Sequence, residues 1–73
     1  MDLKQFLAEF ADVMQVEPEK LSETTEFKKM SEWDSLIIMA TIAFADEKFS
    51  KKINYQILNQ VNTIKDLYDY LNG

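Results

Sequence analysis

"SEWDSLIIMATIAFADEKF", residues 31–49, decides how the rest of the chain is read. After Trp33-Asp34-Ser35 no proline or glycine intervenes as far as Phe49, which leaves room for about four helical turns. Asp34 is a residue type that accepts the free N–H groups of a first turn, so a helix is predicted over Ser35–Phe49, with Ser35 as an alternative cap one residue later. At about 100° per residue from Leu36, the residues Ala45, Ile38, Phe49, Ile42 and Met39 fall between roughly 180° and 300° and form the expected core face. Leu36, Ala40, Phe44 and Ile37 fall between about 0° and 100°, with Glu47 among them, and form a second apolar face. Two other helices and a loop can scarcely wrap such a helix completely. The second face is therefore expected to be exposed beside Ser35, where contiguous apolar surface marks an interaction site. The alternative is a central helix buried on both faces.

Upstream, Leu3, Phe6, Leu7, Phe10, Val13 and Met14 recur at helical spacing between Lys4, Gln5, Glu9 and Asp12, which predicts an amphipathic helix over residues 3–14. Residues 15–34 contain Pro18, Ser22, Thr24 and Thr25 as breakers, yet also Val16, Leu21, Phe27, Met30 and Trp33. A connection of that length with spaced large apolar residues is expected to be pinned to the core, with one short helical turn at Pro18–Leu21. Downstream, Lys51-Lys52-Ile53-Asn54 ends the long helix and places two lysines near its negative end. A short helix is expected over Tyr55–Gln60 behind Asn54. A last one starts at Thr63, which forms an approximate capping box with Asp66 and is followed by Ile64, Leu67, Tyr68 and Leu71. No strand alternation or internal repeat is present. The fold class expected is all-α: one domain over residues 1–73, a small four-helix bundle of three main helices and one short one, with a long first loop.

Composition narrows the chemistry. The chain has no cysteine and no histidine, so it can build no disulfide framework, thiolate zinc site or Ser-His pair. No metal site is expected. Its lone glycine is Gly73, so no glycine turn beside Ser35 can form an oxyanion hole. Ser35 is therefore read as an acceptor that another enzyme modifies, and no residue is assigned as catalytic. A net charge of -5 repels nucleic acid and anionic lipid surfaces. No apolar run approaches a membrane span, and the expectation is a soluble, cytoplasmic monomer. A phosphate joined to a serine at a helix N-terminus is favoured by the free N–H groups and the helix dipole. Asp-Ser-Leu alone is equally well explained as a helix cap.

The wider pattern is more specific. Asp34-Ser35-Leu36, then Glu47 and Phe49, then Ile53, with "TTEF" at 24–27 ahead of them, make the chain resemble the acyl carrier protein family over essentially its whole length. The resemblance implies phosphopantetheine carried on Ser35 as a phosphodiester, added by a separate transferase that uses coenzyme A and magnesium. The arm's terminal thiol would hold an acyl group as a thioester. It also implies that Asp34 works beside the modification site and that Leu36 contacts partner enzymes. Together with the exposed-face reading, the partner-binding set is Leu36, Ile37, Ala40, Phe44 and Glu47.

The expected role is thus a non-enzymatic carrier that exchanges cargo with acyl-loading and acyl-transfer enzymes in fatty-acid or specialised lipid or polyketide-type biosynthesis. Trp33, Ile37 and Ala40 stand where fatty-acid carriers usually show a small residue and acids, so a partner's basic patch would meet aliphatic side chains there. "WDS" also resembles stand-alone specialised carriers, including D-alanyl carriers. A carrier for an amino acid or another activated acid, served by a dedicated adenylating ligase, is the alternative. A helical adaptor with Ser35 unmodified is a third. Met14, Met30 and Met39 could line space for cargo or simply fill the core.

Overall fold

The computed structural model of the chain describes residues 1–73 and is all-helical. Helix α1 spans Leu3–Met14, α2 Ser35–Phe49, α3 Tyr55–Gln60 and α4 Ile64–Asn72, with 3-10 turns at Pro18–Lys20 and Phe27–Lys29 in the long connection between α1 and α2.

Helix α1 is the element around which the rest packs. Asp2 caps it by accepting the Gln5 N–H at 2.8 Å, and the i, i+4, i+5, i+8 set Phe6, Phe10, Ala11 and Met14 is fully buried. The Phe6 ring stacks on Phe10 with centroids 5.7 Å apart and meets Phe44, Phe49 and Tyr68 at 5.8, 5.9 and 5.4 Å. One side chain thereby joins α1 to α2 and α4, and burying each such ring contributes on the order of 2–3 kcal/mol. Helix α1 ends at Gln15, whose left-handed backbone (φ 62) turns its N–H back onto the last carbonyls.

Residues 15–34 are pinned as the spacing of apolar residues predicts. Leu21 and Phe27 are buried, and Val16, Met30 and Trp33 pack partly buried against the core. The 3-10 turn at Pro18–Lys20 falls where the sequence places one. Two features of this connection lie beyond local sequence. Its Thr25 and Glu23 carbonyls accept the Ile64 and Lys65 N–H groups at 3.0 and 2.9 Å, satisfying donors that the start of α4 leaves free. The Lys28 ammonium donates to the Leu58 carbonyl at 2.7 Å, tying the second 3-10 turn to the short helix α3.

The caps follow the sequence closely. Asn54 accepts the Ile57 N–H at 3.0 Å and opens α3. At α4 the Thr63 hydroxyl accepts the Asp66 N–H while the Asp66 carboxylate accepts the Thr63 and Asn62 N–H groups, all at 3.1 Å. Helix α2 ends at Ser50, again left-handed (φ 54). Lys51, expected near the negative end of α2, serves another helix: its ammonium donates to the Tyr70 and Gly73 carbonyls at the end of α4.

The rotation of α2 about its own axis differs from the expected one. Ile37 and Phe44, placed on the exposed face, are buried at 7% and 6% exposure, whereas Met39, placed in the core, is 66% exposed. Ala45 is buried as expected, and Ile38, Ile42 and Phe49 pack partly buried at the edge of the core. The buried arc is centred about 90° from the expected one. The physical reason is twofold. Phe44 is gripped by Phe6 and Phe10, with centroids 5.8 and 6.4 Å away. Thr41 turns inward because its hydroxyl donates to the Ile37 carbonyl at 2.8 Å, so a polar side chain is buried without an unmet hydrogen bond. No helix is long and apolar enough to cross a membrane.

Candidate functional site

The residues that carry the Asp-Ser-Leu motif sit at the junction of the pinned connection and α2. Phe27 supplies the floor: it is buried against Phe10 (5.4 Å) and receives the edge of Trp33 (5.0 Å, interplanar 80°). Trp33 is further held by its backbone N–H, which donates to the Met30 carbonyl at 3.1 Å. Directly after this anchor the chain extends at Asp34 (φ -135, ψ -176) and enters the helix at Ser35.

Of the two possible caps, the structure uses Asp34. Its carboxylate accepts the Ile37 N–H at 3.0 Å and its carbonyl accepts the Ile38 N–H at 2.9 Å. Ser35 is thereby released from capping, and it lies exposed at the first helical position. The N–H groups of Ser35 and Leu36 have no acceptor within the protein. A phosphate ester on the Ser35 oxygen would sit beside two free donors at the positive end of a fifteen-residue helix. These residues fit a phosphodiester-linked arm.

Around Ser35 the structure brings together only part of the expected set. Leu36, at 76% exposure, is the most exposed large apolar side chain of the protein. Glu47 is exposed and Ala40 half-buried. Ile37 and Phe44 are core residues and do not belong to a surface that a partner can touch. The exposed stripe of α2 runs instead through Leu36, Met39, Ala43, Asp46 and Glu47. Met39, Ala43 and Asp46 lie outside the expected partner-binding set, although the sequence holds a signal for the phase. Asp46 lies about 280° around the wheel, inside the arc assigned to the core, and a carboxylate without a cation cannot be buried there.

The three methionines do not share a cavity. Met14 is fully buried in the core, Met30 half-buried in the connection, and Met39 exposed. Met39 does line a shallow groove, with Ile42, Ala43, Asp46, Lys52 and Ile53, between α2 and the segment that follows it. A polar depression between the end of α1 and the first 3-10 turn, edged by Asp12, Glu17, Lys20 and Glu32, does not include Ser35.

The chain is thus a compact all-helical bundle that presents an exposed serine, not used as a cap, at the head of its longest helix. The phosphopantetheine attachment site family matches residues 4–71, and the chain belongs to that family. Its prosthetic group is a covalently attached phosphopantetheine, and such carriers work with the enzymes that modify them and with those that handle the carried group. Carrier domains of this family are typically non-catalytic. None of the curated proteins matches the chain.

Proposed function

We propose that Ser35 is the residue that bears the phosphopantetheine arm, and that the protein is a non-enzymatic acyl carrier of the cytoplasm. The observation that carries this reading is the division of labour at the helix start: Asp34 caps, and the exposed Ser35 hydroxyl is left free beside two unpaired N–H groups. The arm contributes a thiol that holds the cargo as a thioester. The chain's own residues do the rest. Trp33 and Phe27 fix the approach to the motif, Asp34 sets the first turn, the Ser35 and Leu36 N–H groups favour the phosphodiester, and Leu36, Ala40 and Glu47 face the modifying and loading enzymes. Incubating the apo protein with a broad-specificity phosphopantetheinyl transferase, magnesium and coenzyme A is expected to add one phosphopantetheine mass to the wild type and none to Ser35→Ala. A wild type that stays unmodified refutes the reading.

The cargo proposed first is an acyl intermediate of fatty-acid or specialised lipid or polyketide-type biosynthesis. A second reading, an amino acid or other activated acid delivered by a dedicated adenylating ligase, is favoured by one observation: from Ser35 to Ala45 the helix has no charged residue with which to meet a basic partner. Charging the holo protein with a panel of adenylating ligases and with fatty-acid synthase enzymes separates the two. Efficient loading by the synthase enzymes alone eliminates the second.

A further inference from the structure

Helix α2 separates its exposed chemistry into two zones. The eleven positions from Ser35 to Ala45, about 16 Å of helix, contain no ionisable side chain. Their outward residues are Leu36 (76% exposed), Met39 (66%) and Ala43. These lie within about 60° of one another around the axis and form one continuous apolar strip beginning next to Ser35. Beyond it come Asp46 and Glu47, both exposed and neither within ion-pair distance of a cation; the neighbouring Lys48 is turned to Glu9 at 3.9 Å. Along one edge of the strip runs the groove lined by Met39, Ile42, Ala43 and Ile53, with Asp46 and Lys52 as its charged members.

This distribution determines what can cover the strip. A basic surface laid along α2 would find no anion over its first three turns, would desolvate its cations against Leu36 and Met39, and would meet Lys52 at the groove. An apolar surface gains by removing Leu36 and Met39 from water. Within the helix only the far end, with two unpaired carboxylates, rewards a cation; ahead of it the exposed Asp34 carboxylate is engaged by the Ile37 N–H.

Resting on the carrier reading above, we propose that the enzyme surface that docks on this protein is apolar over the Leu36–Met39–Ala43 strip and basic only opposite Asp46 and Glu47. Met39 is its main contact after Leu36, and association depends little on electrostatic steering.

The test measures kcat/KM for modification of Ser35 by a broad-specificity phosphopantetheinyl transferase with coenzyme A, at low and high sodium chloride. The proteins compared are the wild type, Met39→Asp, Met39→Gln and the double variant Asp46→Asn/Glu47→Gln. Both Met39 variants change an exposed side chain, and retained helicity and melting temperature show that they fold; Met39→Gln keeps a good helix former if Met39→Asp does not. Expected are a loss of about tenfold or more for the Met39 variants, appearing in KM, against less than about threefold for the double variant, and a wild-type rate that falls less than about threefold with salt. Met39 variants that lose less than this, or a larger fall with salt, overturn the proposal while leaving the carrier reading standing. Absence of any mass addition to the wild type overturns both. Sedimentation as a dimer that Met39→Asp dissociates also overturns it, because the strip would then be covered by a second copy of the chain.

Discussion

Lys51 reaches Tyr70 in two ways at once: its ammonium donates to the Tyr70 carbonyl at 3.1 Å and lies 5.1 Å from the centre of the Tyr70 ring. A further bond to the Gly73 carbonyl at 2.7 Å completes the contact. The final carbonyls of a helix have no acceptor role inside it and form its negative end, so a cation there is favoured both as a donor and as a charge. The residue after α2 thus fastens α4. Replacing it by methionine keeps most of the aliphatic stem and removes the ammonium. Lys51→Met is expected to cost about 1 kcal/mol, which for a domain of this size lowers the melting temperature by about 4–8 °C.

The cap and the proposed acceptor are separate residues, and stability and modification should therefore separate too. Asp34→Ala removes the bond to the Ile37 N–H and is expected to cost about 1 kcal/mol in thermal or urea unfolding. Ser35→Ala removes a hydroxyl that takes no part in the cap and is expected to stay within about 0.5 kcal/mol of the wild type while abolishing the mass addition. Equal destabilisation by both substitutions would mean that Ser35 is structural.

Trp33 is the only tryptophan of the chain, and its indole stands edge-on to Phe27 just ahead of the motif. Trp33→Ala is expected to destabilise by about 2–3 kcal/mol through lost burial and the lost ring pair. Trp33→Phe, which keeps a ring, should recover more than half of that. Amide exchange checks the local effect: in Trp33→Ala, protection of the Trp33–Met39 amides should fall more than that of α1.

The start of α4 gives the protein an acid-sensitive point. The backbone N–H bonds from Thr63 and then Asn62, aided by the Thr63 hydroxyl and nearby Lys65, lower the Asp66 carboxyl from its ordinary value of 3.8. A carboxylate lowered in the folded state contributes stability that is fully present above its unfolded value and lost as pH falls through the folded one. Melting temperature should therefore drop below about pH 4 in the wild type, and less steeply in Asp66→Asn. Lys65 has the opposite sign. Its bond to Asp69 raises its ammonium from 10.5, so that contribution persists through neutral pH and is lost only as pH rises through the raised value.

Local chemistry was legible in the sequence wherever a polar residue has one job. Asp34, Asn54 and Thr63 with Asp66 mark helix starts because a side-chain oxygen two or three residues ahead of a free N–H has few other uses, and all three act as caps. The pinned connection was legible from Leu21 and Phe27, since such side chains are seldom left in water between helices. The rotation of α2 was not. Its apolar residues surround the axis, so periodicity carries no phase, and the deciding contacts, Phe44 with Phe6 and Phe10, join residues more than thirty positions apart. Thr41 is illegible for a related reason: its buried hydroxyl bonds to its own helix, which no hydropathy pattern records. The ties from Lys28 to Leu58 and from Lys51 to Tyr70 are equally non-local. Of the candidate site, Ser35, Asp34 and Leu36 stand out in the sequence, whereas the outward neighbours Met39 and Ala43 require the phase.

That Phe6 holds the aromatic rings of three helices together has a consequence for how such a protein can diversify. The keystone lies in α1; α2 buries Ile37, Thr41, Phe44 and Ala45 and turns its outer half away from the ring cluster. On the proposed docking, substitutions at Leu36, Met39, Ala43 or Glu47 retune whom the protein meets while leaving that ring cluster untouched, so new clientele can be acquired one exposed side chain at a time.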